Sequence, residues 1–377
     1  MRQGKSAEDD VQFPETHIAH ALFVYAAPML LAWGTLGNVL CAIVLARMSR
    51  RALSTCVYVV AANVADLALL HMRIGNDWLG DVTGVNARLS ATLSSHSVCK
   101  LYPFVSGFLA HLTTWLVACI AAEMAIVTAR PQRLLSVCKT AHARIVIMLV
   151  AVVLICVNAH CFWTWRLMRL ETRLEKGMVC TNVRQGGSDQ FRLITWPVVN
   201  IIVAHACPYV VVFACVVMVT TVRVRRRANV QRLEDVWKTT TLDAAAAVEC
   251  HTALLVVCVL YLVLLLPGFI DDVFAFLAEP GGMNLVKHTP SLVAKQRLAA
   301  TVCSLLFHGF GCVKFTVFLV VSRSFRSRLR AIVLCRRCAR VCSHNTSQAV
   351  QLNPLLNEHD PAWANSAPRK LYATTSV

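Results

Sequence analysis

Residues 101–127 form an apolar stretch that is long enough to cross a lipid bilayer as a single helix. The stretch follows Cys99, contains few polar side chains, and includes Glu123 near its end. A helix that spans the membrane needs about 20 predominantly apolar residues, because it rises about 1.5 Å per residue and the hydrocarbon core is about 30 Å thick. We therefore predict a membrane-spanning helix here and expect it to be the central helix of a bundle.

Six further stretches have a similar length and character. The seven predicted spans are residues 22–46, 55–79, 101–127, 143–165, 193–222, 244–277 and 293–321. The chain is 57% hydrophobic and 15% charged, whereas soluble proteins carry about 25% charged residues. The sequence therefore predicts an all-α membrane protein, a seven-transmembrane-helix bundle, with no separate soluble domain.

Basic residues are concentrated in short segments between these spans. The segments are 47–51, 130–144, 223–227 and 323–340. Cytoplasmic loops carry an excess of Lys and Arg, so we expect these segments in the cytoplasm and the N-terminus outside the cell. Segment 166–192 is an exception, because it is basic and is expected outside. The net charge of +17 therefore reflects the basic residues of the predicted cytoplasmic segments. We expect no nucleic acid as a partner.

The predicted topology divides the chain into four parts. These are an extracellular N-terminal segment (1–21), the seven-helix domain (22–322), a short interfacial eighth helix (323–334) and a cytoplasmic tail (335–377). Basic and apolar residues alternate at helical spacing in 323–334, which is typical of a helix at a membrane surface. No signal-peptide core precedes the first span, which is expected to direct its own insertion.

Several short motifs occur in a specific order along the spans. They are Gly37-Asn38, Asn63-Val64-Ala65-Asp66-Leu67, Cys99, Glu123 with Pro131, the run from Cys138 to Arg144, Pro208, Pro267 and Phe325-Arg326. In order and separation these motifs resemble those of the rhodopsin-like (class A) G-protein-coupled receptors, in particular invertebrate-type neuropeptide receptors. The resemblance implies a plasma-membrane receptor, neither enzyme nor cofactor protein, with an extracellular peptide ligand and a heterotrimeric G protein or arrestin as partners.

The resemblance also implies residue roles and reveals departures from the family pattern. Cys99 and Cys180 correspond to the family's disulfide. The family's switch positions are Glu123, Met124, Pro131, Pro208, Pro267 and Phe318, and several of the usual side chains there and nearby are replaced; Val216, for example, stands where the family has tyrosine. Met124 stands where the family has arginine, Leu265 where it has tryptophan, and Phe318 where it has tyrosine. Methionine cannot donate the hydrogen bonds of arginine. A receptor that binds its ligand without activating a G protein, as a decoy or arrestin-biased form, therefore stays an alternative.

Asp66 and Lys314 each place an ionisable group deep in an apolar span. Such a charge costs at least about 2.5–3.5 kcal/mol unless it is compensated. The resemblance places both residues at the family's sodium site, and we expect an internal ion pair that displaces sodium, with hydrogen bonds added by Asn38 and Asn63. The alternative is that Lys314 extends to the cytoplasmic surface.

Charged and polar residues near the predicted outer ends of the spans are the candidate ligand-binding residues. They are Arg73, Asp77, His111, His160, Asp271 and Asp272. Their mixed charge suits a peptide with a basic residue or a C-terminal amide, although Asp271 and Asp272 could instead form a solvated entrance. The upper third span has no acid, which disfavours an amine ligand. His308 occupies the position of the retinal lysine of opsins, which argues against an opsin.

The tail contains two further candidate sites. Cys335, Cys338 and Cys342 lie among arginines close to the membrane and are candidates for palmitoylation; the alternative is three unmodified thiols. The last residues, Thr375-Ser376-Val377, match the C-terminal pattern bound by PDZ domains. A proton-coupled transporter is the main alternative outside the receptor class, but the odd number of spans and the lack of two similar halves argue against it.

Overall fold

The computed structural model describes seven long helices and a β-hairpin. The described residues are 13–49, 54–129, 139–171, 176–182, 191–225, 244–278 and 289–333. We number the long helices in chain order: α1 Pro14–Ser49, α2 Thr55–Thr83, α3 His96–Ala129, α4 Thr140–Thr164, α5 Leu193–Arg225, α6 Ala244–Ala278 and α7 Pro290–Val321. All seven are long and apolar enough to cross a membrane, in agreement with the predicted helical membrane bundle.

Consecutive long helices are antiparallel. The start of one helix therefore lies at the same end of the bundle as the end of the next. Ser54, just before α2, contacts Glu123 near the end of α3. At the other end, Trp78 of α2 donates a hydrogen bond to the carbonyl of Val24 in α1. We call the end that carries the β-hairpin the hairpin end and the other the opposite end.

Helix α3 is the central helix. In its most apolar 18-residue window 67% of the residues are buried, compared with at most 50% in any other long helix. It packs mainly against α2 and α5 and also contacts α4 and α6. This position agrees with the central role expected for residues 101–127.

A glycine ends helix α2, and an asparagine caps the start of the short helix that follows it. Gly84 has a φ of 71°, a left-handed conformation that suits glycine, and its N–H bonds to the carbonyl of Gly80. The side chain of Asn86 then accepts a hydrogen bond from the backbone N–H of Leu89 and caps the helix Ala87–Ser94. This short helix connects α2 to α3.

Two of the long helices contain π-helical turns, in which the hydrogen-bond ladder is locally widened. In α2 the turn is His71–Gly75. In α5 one turn, Phe191–Thr195, overlaps the start of the helix, and another is Ile201–Ala206. The second turn in α5 directly precedes Cys207 and Pro208, whose missing N–H weakens the ladder there. Such turns occur often at functional sites, and those at His71 and Ile201 adjoin the cavity described below.

The segment between α4 and α5 contains a hairpin that the sequence analysis treated as a loop. Strand β1 (Trp165–Glu171) pairs antiparallel with β2 (Lys176–Asn182), and Leu167 lies opposite Cys180. A disulfide joins Cys180 to Cys99 at the start of α3. The hairpin is therefore attached covalently to the central helix.

The compact bundle extends to Leu329. The interfacial position of the segment 323–334 stays a prediction. Several predicted sites lie outside the described residues, namely Pro131, Cys335, Cys338, Cys342, Thr375 and Val377.

Candidate functional site

Two adjoining cavities lie between the helices at the hairpin end. The α6 lobe, of about 330 Å³, is lined by α2, α3, α5, α6 and α7. The hairpin lobe, of about 470 Å³, is lined by α2, α3, α4, α5, the connecting helix and the hairpin. Residues shared by both linings are Arg73, Gly107, His111 and Asn200. The two lobes thus meet at one point, beside the π-helical turn of α2.

Arg73 projects from that π-helical turn to the junction of the lobes. Its Nε donates a 2.9 Å hydrogen bond to Ser106 Oγ of α3. Within the described part of the chain no carboxylate forms an ion pair with Arg73. Its guanidinium is therefore available to an anionic group in the cavity.

His111 belongs to a hydrogen-bonded chain that links three helices. The amide nitrogen of Asn158 donates to the carbonyl of Leu154 at 2.8 Å and to His111 Nδ1 at 2.9 Å. With Nδ1 accepting, His111 Nε2–H donates to Asn200 Oδ1 at 3.1 Å. The chain fixes the amide of Asn200, whose nitrogen carries two further donors, at the junction of the lobes.

Gly107 makes room for this chain. A Cβ at position 107 would lie 2.7 Å from Asn158 Oδ1, which is closer than non-bonded carbon and oxygen approach. The buried Asn158 Oδ1 itself has no hydrogen-bond partner among the described residues. The absence of a side chain at position 107 therefore positions Asn158, and through it His111.

His160 lines the hairpin lobe and packs against an aromatic side chain. Its ring centroid lies 3.6 Å from that of Trp196, with an interplanar angle of 36°. Its Nδ1–H donates to the carbonyl of Val157 at 3.1 Å. His160 is thus held rigidly in the wall, and Trp196 shares that wall.

The α6 lobe has an acidic rim. His205 of α5 contacts Asp272 Oδ2 at 2.7 Å, and Asp271 and Asp272 both line the lobe. No described cation pairs with Asp271. His308 lines the same lobe, and its buried Nε2 has no hydrogen-bond partner among the described residues.

Asp77 differs from the other predicted ligand-binding residues, because it does not line either lobe. Its carboxylate pairs with Arg88 of the connecting helix at 3.0 Å. The sequence could not indicate this pairing, because the short helix that presents Arg88 was not predicted. The predicted contact of Asp77 with a ligand therefore stays a prediction.

Below the cavity, Lys314 forms an ion pair with Asp66 between α7 and α2. Lys314 is 2% exposed and Asp66 8% exposed, and the Lys314 ammonium also lies 5.4 Å from the ring centroid of Phe310. A Cβ at Gly311 would lie only 3.2 Å from Asp66 Cγ. Lys314 therefore points into the bundle and not along it to a surface.

The hydrogen bonds expected from Asn38 and Asn63 to this ion pair are not formed. Both side chains are buried, and neither amide has a hydrogen-bond partner among the described residues. Of the four residues predicted to interact here, only Asp66 and Lys314 contact each other.

Polar contacts at the opposite end connect the helices that the resemblance identifies as switches. Glu123 Oε1 accepts hydrogen bonds from Ser54 Oγ at 2.6 Å and Thr55 Oγ1 at 2.8 Å. The neighbouring Met124 is 2% exposed. Glu123 is thus held by the start of α2.

A second carboxylate at this end, Glu249, was not predicted from the sequence. Its Oε2 accepts hydrogen bonds from Ser322 Oγ at 3.1 Å and from the backbone N–H of Ser324 at 2.8 Å. The partners lie more than 70 residues away in the chain, so no local pattern indicated the contact. It ties the start of α6 to the end of α7.

A third contact involves His251 of α6. The guanidinium of Arg223 in α5 donates to His251 Nδ1, and Thr128 of α3 lies 3.4 Å from Nε2. Phe318 has no hydroxyl to join these contacts, and its ring packs against Phe325 at 5.6 Å. Helices α3, α5, α6 and α7 are therefore connected at the opposite end by polar and aromatic side chains.

Comparison with known proteins gives no match, either to a family model or to a curated protein.

Proposed function

We propose that this chain is a rhodopsin-like G-protein-coupled receptor of the plasma membrane, which binds an extracellular peptide and signals to a heterotrimeric G protein or arrestin. In this proposal the hairpin end and the N-terminus face the cell exterior, and the arginine-rich opposite end faces the cytoplasm. The segment 323–334 lies on the inner membrane surface, where acylated tail cysteines would attach it, and the C-terminus recruits a PDZ domain.

The observation that carries the proposal is the course of α6, which reaches both ends of the bundle. At the hairpin end, its residues Asp271 and Asp272 line the α6 lobe. At the opposite end, its residue Glu249 is hydrogen-bonded to Ser322 and Ser324. A ligand that displaces α6 in the cavity therefore acts on a helix whose other end is held by a few polar contacts.

Pro267 lies between these two ends, within the continuous helix Ala244–Ala278. Proline has no N–H to donate to the carbonyl of Val263, so the helix is weakened at this turn. Tilting of α6 about Pro267 separates Glu249 from Ser322 and His251 from Arg223. The ends of α3, α5 and α6 then become accessible to a G protein.

A second candidate function, ligand binding without G-protein activation, is supported by the contacts of the altered positions. Glu123 accepts hydrogen bonds from Ser54, just before α2, and from Thr55, its first residue. Met124 is buried and cannot donate a hydrogen bond to a G protein. Lys314 fixes α7 to α2 through Asp66. In this case the molecule acts as a decoy or arrestin-biased receptor.

The test is nucleotide exchange on heterotrimeric G proteins in membranes that contain the full chain, with libraries of free-acid and amidated peptides. Binding is followed in parallel by the melting temperature of the purified receptor. A peptide that binds and accelerates exchange supports the signalling receptor. If a peptide binds without exchange, the double variant Met124→Arg, Lys314→Asn should gain exchange, which supports the silent receptor. If no peptide binds, both candidates are wrong.

A further inference from the structure

The charges that line the two lobes differ in whether they have a partner in the protein. Arg88 is paired with Asp77 at 3.0 Å and lies 5.6 Å from the ring centroid of Tyr102. Asp272 Oδ2 accepts a hydrogen bond from His205 Nε2 at 2.7 Å. Among the described residues, neither Arg73 nor Asp271 has an oppositely charged group within ion-pair distance, although Asp77 and Asp272 act on Arg73 from farther away. One cation and one anion of the cavity are thus left for a ligand.

Unpaired charges within membrane-spanning helices are costly and commonly mark a binding site or pathway. Arg73 lies in α2 and Asp271 in α6, both within helices long and apolar enough to cross a membrane. Each side chain lines the cavity. A ligand with complementary charges would compensate both groups at once.

The two unpaired charges occupy different parts of the cavity. The described lining of the hairpin lobe includes Arg73 and Arg88 but neither aspartate nor glutamate. The α6 lobe contains both Asp271 and Asp272. An anionic group is therefore favoured at the junction and in the hairpin lobe, and a cationic group at the far side of the α6 lobe.

Hydrogen-bond donors at the junction favour a carboxylate over an uncharged amide. The Arg73 guanidinium can bind a carboxylate through two parallel N–H groups. The Asn200 amide nitrogen is positioned there because its oxygen accepts from His111. A carboxylate only accepts hydrogen bonds, whereas the nitrogen of a C-terminal amide would face these donors with donors of its own.

The size of the cavity limits the part of the ligand that enters. The lobes, of about 330 and 470 Å³, fall in the lower half of the range of about 300–1,000 Å³ that is typical of small-molecule sites. They suit a few residues and not a folded domain. The end of a short peptide carries the required carboxylate and can carry a basic side chain.

We propose that the cavity binds the C-terminal end of a short peptide with a free carboxylate, which contacts Arg73, while a basic side chain of the same peptide contacts Asp271. This inference rests on the proposed receptor function and specifies its ligand. It replaces the C-terminal amide, which the sequence analysis had kept as one of two ligand types, by a free acid.

The test uses three pools of N-acetylated tripeptides with the purified full-length chain. The first pool contains one lysine per peptide and a free C-terminal carboxylate, the second has the same sequences as C-terminal amides, and the third has norleucine in place of lysine. The melting temperature of the receptor is the measurement, because it requires no G protein. Only the first pool is expected to raise it.

Four variants distinguish loss of the predicted ligand contacts from a non-specific effect of changing a charge in the receptor. Arg73→Gln and Asp271→Asn should weaken binding of the first pool by about tenfold or more, the usual consequence of losing a charge-assisted contact. Arg73→Lys keeps the charge and should retain the preference for the acid. Lys295→Gln removes an exposed cation of α7 that lines neither lobe, so this variant should bind like the native chain.

Each other outcome contradicts a part of the inference. Equal stabilisation by the amidated pool would exclude a carboxylate contact, and equal stabilisation by the norleucine pool would exclude the basic group. The absence of any shift would overturn the ligand class altogether. None of these results depends on nucleotide exchange, so the receptor proposal is judged separately. The melting temperatures without peptide show whether each variant is folded.

Discussion

The ammonium group of Lys314 on α7 forms an ion pair with the carboxylate of Asp66 on α2, and both groups are buried within the helical bundle. The two residues are separated by 248 positions in the chain. Their opposite charges compensate each other inside the bundle, where water does not solvate them. Neither Asn38 nor Asn63 takes part. The pair connects the two helices near the middle of the bundle, between the cavity and the contacts of the opposite end.

Exchange of the two charges tests this pairing directly. Asp66→Lys or Lys314→Asp alone leaves two like charges buried together, and loss of a buried pair typically costs about 3–5 kcal/mol. We expect both single variants to lose surface expression. The double variant should recover part of it, measured by surface labelling of intact cells. An unimproved double variant would indicate that the two groups contribute independently.

Gly107 should tolerate alanine much less well than Gly268, although both glycines lie in long helices and line the α6 lobe. A Cβ at Gly107 would lie 2.7 Å from Asn158 Oδ1, whereas at Gly268 the nearest atom is Cys303 Cβ at 3.9 Å. We expect Gly107→Ala to lose about 1–3 kcal/mol through overpacking. Gly268→Ala should be neutral or stabilising, because alanine favours helix. Melting temperatures of the two purified variants check this; equal values would contradict the role of Gly107.

The contact of Glu249 with the end of α7 should restrain α6. Glu249→Gln removes the charge that accepts from Ser322 and Ser324, and a hydrogen bond to a charged group contributes about 1.5–3 kcal/mol. We expect faster hydrogen exchange at the start of α6, measured by mass spectrometry. Ser322→Ala should have a smaller effect of the same kind.

Ser324→Ala is the matched control for that measurement, because Ser324 donates to Glu249 from its backbone N–H and not from its hydroxyl. Its exchange pattern should equal that of the native chain. If all three variants exchange alike, Glu249 does not hold the helix.

The disulfide between Cys99 and Cys180 should stabilise the hairpin end as a unit. Removal of a disulfide typically costs about 2–4 kcal/mol. Cys99→Ala, Cys180→Ala and the double variant should therefore lower the melting temperature by the same amount, because one lost partner already breaks the bond. Additive losses would indicate that the two cysteines stabilise the chain separately. Peptide mapping without reductant identifies the bond in the native protein.

The sequence predicted the seven long helices well because apolar length is a local property. Helix ends were less predictable: α1 begins at Pro14 and not at Leu22, since hydropathy detects only the lipid-compatible part of a longer helix. The hairpin Trp165–Asn182 was missed because its basic and turn-prone residues are typical of loops. The short helix Ala87–Ser94 was missed for a similar reason.

At the candidate site, interacting residues that lie far apart in the chain were difficult to predict from the sequence. The resemblance to the family's sodium site, together with the cost of two buried charges, led to the expectation that Asp66 pairs with Lys314. Glu249 was missed because nothing near it in sequence identifies Ser322 as its partner. The pairing of Asp77 with Arg88 was not predicted because Arg88 lies on a short helix that the sequence pattern did not indicate.

The arrangement of the two ends across the membrane tests the central claim most directly, since a receptor needs its cavity outside and its switch contacts inside. Epitope tags at residues 1 and 377 are labelled with antibodies in intact and in permeabilised cells. We predict that the N-terminal tag is labelled in intact cells and that the C-terminal tag is labelled only after permeabilisation. Labelling of both tags on the same side would contradict a bundle of seven spans, and with it the proposed receptor.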